Sequence, residues 1–276
     1  MAVNVAIATR LRPLRRLVYI YFRCLGQQMK AILAYEADFV ILMISAGIVQ
    51  ITGFLFIWTV FARIPTINGW TFWQVVMMYS LIFITEGVGS LFFEGTWRLS
   101  RLVYTGEFDQ MLLRPVSPIV QVLAAAVGFN GLGNIITGGM LLAVSLGNVD
   151  VAWTPGRALM LVILVASAAT IRVAINLGTS ATAFWIKAPW SMVPFFVHQL
   201  GEFAKYPITI YSLGVQAVVV VVIPFAFVSF FPTAYLFDVE AWSLVGLLTP
   251  LVAIYCLILA VWAFNFGLKR YESTGH

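Results

Sequence analysis

The sequence predicts an all-α polytopic membrane protein with six transmembrane helices, on three observations. Hydrophobic residues make up 62% of the 276 positions and charged residues only 10%, against roughly 25% charged in a soluble domain. Six apolar stretches are each long enough to cross a bilayer. Basic residues gather on one side of those stretches.

The composition disposes of the soluble classes first. A mean hydropathy of +0.97 leaves too much apolar side chain for any single core, so lipid must solvate it. The net charge of +5 would raise nucleic acid as a partner in a soluble chain, but in a membrane protein the position of the charges decides. Cys24 and Cys256 are expected at different depths, as packing residues rather than a disulfide. No cleavable signal peptide is expected, because Arg10, Arg12, Arg15, Arg16, Arg23 and Lys30 precede the first long apolar run.

A helix rises about 1.5 Å per residue, so a hydrocarbon core of about 30 Å needs roughly 20 apolar residues. The spans read as about Phe39–Ala62, Thr71–Phe93, Ile119–Leu146, Ala158–Trp185, Ile208–Phe231 and Ser243–Phe266. All are continuously apolar and lack the alternation of a membrane barrel. Only a helix satisfies the backbone of such a run in lipid.

Orientation follows from charge. With the N-terminus inside, segments 1–38, 94–118, 186–207 and 267–276 hold six, three, two and two Lys or Arg, thirteen in all. The opposite loops hold only Arg63 and Arg157. This bias predicts both termini in the cytoplasm and removes the nucleic-acid reading. Residues 17–37 mix apolar positions with Arg23, Gln27, Gln28 and Lys30, and with Tyr19, Tyr21 and Tyr35. They read as an interfacial helix on the inner leaflet, the alternative being an irregular tail. Segment 186–211, with Pro189, Pro194, His198, Glu202, Lys205 and Pro207, reads as an amphipathic or partly re-entrant piece on the inner face. A seventh span there would spoil the charge bias.

Glu86 and Arg172 fall within spans. An ionisable side chain in lipid is costly, so each must face protein or water. They mark either an intramembrane polar path, with or without a direct ion pair, or separate satisfied contacts at helix faces. Ala174, Gly178 and Thr182, and Gly128, Gly131, Gly133, Gly138 and Gly139, suit close helix packing within the chain or at a subunit interface. The loop 94–118 mixes Arg98, Arg101 and Arg114 with Glu94, Glu107 and Asp109. Thr105 or Gly106 can start a short helix there, with Glu107 and Asp109 in its positive first turn and Pro115 ending it. Such a helix either lies on lipid or docks a cytoplasmic partner. Phe230–Asp238 holds Phe231, Pro232, Tyr235 and Asp238 and either dips back into the outer leaflet or packs as an ordinary loop.

No Gly-Lys pair exists, so no phosphate-cradling loop for ATP can be drawn. Two histidines, His198 and His276, make neither a metal site nor a triad plausible. The chain is not read as an enzyme.

Three motifs carry a resemblance. Gly106-Glu-Phe-Asp-Gln-Met-Leu-Leu-Arg-Pro-Val-Ser-Pro118 resembles the G-x-x-D-x-x-L-x-R-P-x-x-P signature of a bacterial branch of type-2 ATP-binding-cassette permeases. Ile223-Pro-Phe-Ala-Phe-Val-Ser-Phe-Phe-Pro232 resembles its P-x-A-x-x-x-x-x-P element, and Gly267-Leu-Lys-Arg-Tyr-Glu-Ser-Thr-Gly275 its C-terminal R-Y-x-S-x-G. The resemblance implies a six-span exporter permease in the bacterial plasma membrane. It also implies pairing with an identical or related permease and with two cytoplasmic ATPase subunits. The chain itself then binds no cofactor; ATP and magnesium sit on the ATPase. Residues 17–37 and the loop with Arg98, Arg101, Glu107, Asp109 and Arg114 would meet that ATPase, and the region of 230–238 would form short outer re-entrant helices. The rivals are an ATP-independent carrier or channel, a lipid-acting membrane enzyme and a passive membrane anchor. The substrate is not legible.

Overall fold

The computed structural model describes residues 2–33, 36–239 and 241–273; side chains are described from Arg15 onward, except over 31–39. Tyr35, Thr274, Gly275 and His276 lie outside the described residues.

Helix α1 (Ala2–Leu33) leads into α2 (Glu36–Phe61). A tight hairpin, Thr66–Ile67 against Trp70–Thr71, turns the chain into α3 (Phe72–Phe93). Its two turn residues, Asn68 (φ 48°) and Gly69 (φ 85°), both take positive φ. That is what a two-residue hairpin of this twist requires, and Asn-Gly is its preferred pair. After α3 the chain runs through a 3-10 turn to α4 (Leu99–Tyr104), α5 (Glu107–Leu112) and α6 (Pro118–Leu123). Then come α7 (Asn130–Gly147) and α8 (Pro155–Ser180), the latter extended by a 3-10 turn to Phe184.

Helix α3 is the axis of the bundle. It packs along α7 and α8, while α13 (Thr249–Leu268) lies along α8 and α2 along α7. Glycine makes the α3–α7 contact close. A methyl group built on Gly131 would stand 2.6 Å from the Gly87 carbonyl, and one on Gly87 would stand 2.7 Å from the Gly131 carbonyl. Lipid supplies no hydrophobic drive between helices, so this backbone approach provides the packing.

Call the end of the bundle that carries α1 and the end of α13 the near end, and the α2–α3 hairpin the far end. Among the described residues five helices are long and apolar enough to cross a membrane: Val40–Phe61, Phe72–Tyr104, Asn130–Gly147, Pro155–Phe184 and Thr249–Leu268. The third is shorter than the stretch expected from Ile119, because the chain leaves helix after α6 and re-enters it only at Asn130.

The fifth traverse is not where the hydropathy puts it. It is made by α9 (Met192–Leu200), a 3-10 turn over Gly201–Lys205 and the extended residues after it. At the near end Ser191 donates to the carbonyl of Trp97 (2.7 Å). At mid-depth Lys205 lies over the rings of Phe83 and Tyr79 on α3. At the far end Thr209 accepts from Asn68 (2.9 Å). Segment 186–207 is therefore not confined to the near face. The run expected as a span over 208–231 is instead a hairpin that enters and leaves at the far end. Helix α10 (Leu213–Ala217) and one π turn descend to Ile223–Pro224, where the chain bends by 73°. A 3-10 turn and α11 (Phe230–Leu236) climb back. The tip lies beside Arg172 and Gly201 through Phe225. The exit is tied by the Asp238–Arg157 ion pair to the start of α8. Helix α12 (Ser243–Gly246) leads to α13. Because one traverse replaces another, the crossing parity is unchanged and both ends of the bundle sequence stay at the near end.

Candidate functional site

Two clusters of polar residues stand out, one at membrane depth and one on the near face.

The deep cluster begins with Glu86 and Arg172. Glu86 lies seven residues before the end of α3 and Arg172 eight before the end of α8. At 1.5 Å per residue both are about 11 Å from the near end of their helices. The matched depth lets them meet, and the structure joins them as an ion pair. The sequence left that pairing open. Arg172 also approaches Nδ1 of His198 (3.4 Å), which stands 4.0 Å from Glu86. The Arg172 side chain is 9% exposed, so its charge is tolerable only because it is paired.

The fifth traverse brings the rest. His198, Glu202 and Lys205 are spaced four and three apart, which is one face of a helix. Lys205 pairs with Glu202, and its ammonium sits 5.2 Å from the Phe83 ring centre and 5.9 Å from that of Tyr79, within cation–π range. The edge of His198 meets Trp97 at 5.3 Å. Nearby, Gln50 of α2 donates to Asn134 of α7, and the Tyr79 hydroxyl donates to the Gln50 carbonyl (3.0 Å). A cleft of about 440 Å³ runs between these groups and the Leu42–Val49 stretch of α2. Its polar lining includes Glu86, Asn134, Arg172, His198, Glu202 and Lys205. Irregular backbone at membrane depth survives only against protein or a water-filled cavity, which is what this traverse faces. Sequence reasoning named Glu86 and Arg172 but placed His198, Glu202 and Lys205 on the near face. Their helical spacing within an aromatic segment was the signal available.

On the near face, α5 starts after Gly106, which adopts φ 74°, a conformation that suits glycine. Glu107 and Asp109 occupy its first turn. Between them Phe108 is wholly buried. Arg98, Arg101 and Arg114 are exposed and, with Glu107, line a cleft of about 330 Å³ against Cys24 and Gln28 of α1. Leu113 is 87% exposed at the tip. Gln121 braces the loop by donating to the carbonyls of Met111 (2.8 Å) and Val116 (2.9 Å). Asp109 is engaged within the chain. Its carboxylate accepts from the Tyr271 hydroxyl (2.8 Å) and the Ser273 hydroxyl (2.6 Å) of the C-terminal tail. Burial, and then the Asp109 carboxylate, push the Tyr271 phenol up to about 12, so it remains a donor at neutral pH.

At the far end Phe231 and Pro232 are buried in the first turn of α11, where proline costs no helix hydrogen bond. Phe230 packs on Trp70 (5.0 Å) and Phe231 on Trp242 (6.1 Å). Tyr235 is half-buried, and Asp238 holds φ 49° against Arg157. Phe231, Pro232, Tyr235 and Asp238 thus belong to the ascending limb of the re-entrant hairpin and its exit.

Among the described residues no three of His, Cys, Asp and Glu converge as a metal site would need. No curated protein and no solved structure matches the chain. A family model described as ABC-2 family transporter protein matches residues 48–275. That match takes in the deep cluster, the near-face loop and the re-entrant hairpin, and the chain belongs to the ABC-2 transporter family, as a multi-pass membrane permease component that works with an ATP-binding subunit.

Proposed function

We propose that this chain is the permease half of a bacterial exporter, with the near end in the cytoplasm and the translocation path along the cleft between α2 and the fifth traverse. One observation carries the reading. Glu202 sits between His198 and Lys205 at membrane depth, yet its side chain is 47% exposed. A carboxylate half open to hydrocarbon is untenable, so this face must meet water or protein. A second permease, identical or related, covers it, and a polar path then runs between the two.

The near-face loop supplies the coupling. Exposed Glu107, the arginines Arg98, Arg101 and Arg114, and Leu113 form a surface for the ATPase. ATP and magnesium are held there and not in this chain. Closure of two ATPases moves that loop as a rigid body, and transport follows if substrate affinity differs between the two states.

The test is purification of the tagged chain in mild detergent, with associated ATPase activity assayed and subunits identified by mass. A stoichiometric nucleotide-binding subunit is expected. Its absence, under conditions that preserve a control complex, would favour an ATP-independent carrier or channel. Reversing Glu107 to Lys is expected to leave the complex assembled while export fails.

A further inference from the structure

We propose that Phe108 and Asp109 form a socket joint that delivers movement of α5 to α8 and α13, with Tyr271 and Ser273 as the positioning residues that hold it. The proposal rests on the reading that the near-face loop receives motion from an ATPase.

The joint is built from four parts of the chain. Phe108 is buried with its ring centre 5.4 Å from Phe184, at the end of α8, and 5.2 Å from Tyr271. Phe184 in turn packs on Phe264 of α13 (5.2 Å) and on Tyr271 (5.8 Å). Gly267 lets α13 approach closely: a methyl group there would stand 2.6 Å from the Phe184 ring. A buried aromatic side chain held between a ring at the end of α8 and one of the tail, with Phe184 itself backed by Phe264 of α13, cannot shift without moving them, because packed interiors are dense and poorly compressible.

Packing alone would let α5 pivot about Phe108. The two hydrogen bonds on Asp109 prevent that, since they grip the next residue from the opposite segment of the chain, 162 and 164 residues away. The neighbouring carboxylates are thereby divided in role. Asp109 is occupied within the chain, and exposed Glu107 is left for the partner. The route onward is short. Phe184 lies twelve residues beyond Arg172 in a continuous run of α and 3-10 helix, about 18 Å at helical rise. Displacement of α5 therefore reaches the Glu86–Arg172 pair by way of α8, beside its covalent route through α3.

The experiment uses spin labels at Gln110→Cys and Lys269→Cys, with Cys24→Ser and Cys256→Ala removing the native thiols. The interlabel distance is measured in the purified complex, nucleotide-free and trapped with ATP and vanadate. The expected result is a narrow distribution, unchanged by trapping. The double variant Tyr271→Phe/Ser273→Ala keeps the ring in the socket and removes both donors. It should lose the narrow distribution and acquire a trapping-dependent shift, while retaining ATPase activity. A shift on trapping in the native sequence overturns the joint, as does a double variant that stays narrow and unshifted. A preparation lacking any ATPase subunit overturns the coupling reading and the joint with it, and mass analysis tells that failure apart.

Discussion

Asn68, in the hairpin between α2 and α3, donates its side-chain amide to the carbonyl of Thr209. Residue 191, at the other end of the same segment, is tied to Trp97 beyond the near end of α3. Two hydrogen bonds thus place the ends of a nineteen-residue segment, 191–209, at opposite ends of one transmembrane helix. The segment contains His198, Glu202 and Lys205, so it is a polar traverse. The prediction is topological. In spheroplasts, a membrane-impermeant thiol reagent should label Ser212→Cys from outside and leave Lys187→Cys unlabelled until the membrane is opened. Labelling of both positions from the same side would return the segment to one face.

Much of this fold was legible because hydropathy reports what a helix needs in order to face lipid. It located α2, α3, α8 and α13 within a few residues. It failed where a segment faces protein or where an apolar run does not cross. The fifth traverse satisfies its polar groups on Glu86, Arg172, Phe83 and Tyr79, and none of these partners is visible along the sequence. The valine-rich run over 218–222 is lipid-compatible, but it belongs to a hairpin turned back at Pro224. Parity survived the exchange of these two segments, so α1 and the end of α13 still lie at the same end of the bundle. The donors that meet Asp109 were hidden for a similar reason. An acidic residue in a helix's first turn looks available to a partner, and its actual donors lie at the far end of the sequence.

The Glu86–Arg172 pair should be unequal to the other cross-bundle pair. Breaking a buried pair leaves an uncompensated charge, at a cost on the order of 3 kcal/mol. Glu86→Gln is therefore expected to lower the melting temperature in detergent clearly, and Glu86→Leu/Arg172→Met to recover much of the loss. Arg157 and Asp238 are 24% and 62% exposed, and exposed pairs contribute about 0–1 kcal/mol. Arg157→Gln should melt close to the native protein. Equal shifts for the two single variants would contradict this account of the deep cluster.

Glycine at the α3–α7 contact should be intolerant in a position-specific way. A methyl group at Gly131 would strike the backbone of Gly87 and of Leu91, at 2.6 and 2.7 Å. At Gly139 it would meet nothing within 4 Å. Overpacking of this kind costs about 1–3 kcal/mol. Gly131→Ala should lower thermal stability or yield, whereas Gly139→Ala, eight residues along the same helix, should not. A destabilised Gly139→Ala would mean that an external partner occupies that face.

The last prediction concerns what covers Glu202. Val49 lies on the α2 wall of the same cleft and is 63% exposed. Ile258, on α13, is 65% exposed, on a helix separate from the cleft. Exposure alone does not distinguish the two, because lipid accepts both side chains. The difference is the neighbouring carboxylate, which lipid does not accept. If a second permease seals the cleft, Val49→Cys in membranes should cross-link to it on mild oxidation or with a short bifunctional maleimide, and Ile258→Cys should not. Pairing of Val49→Cys with itself would indicate two identical permeases, and the reagent joining it to a different permease would indicate a mixed pair. Cross-linking through Ile258 alone would move the interface to α13 and leave Glu202 facing a water-filled path within a single chain.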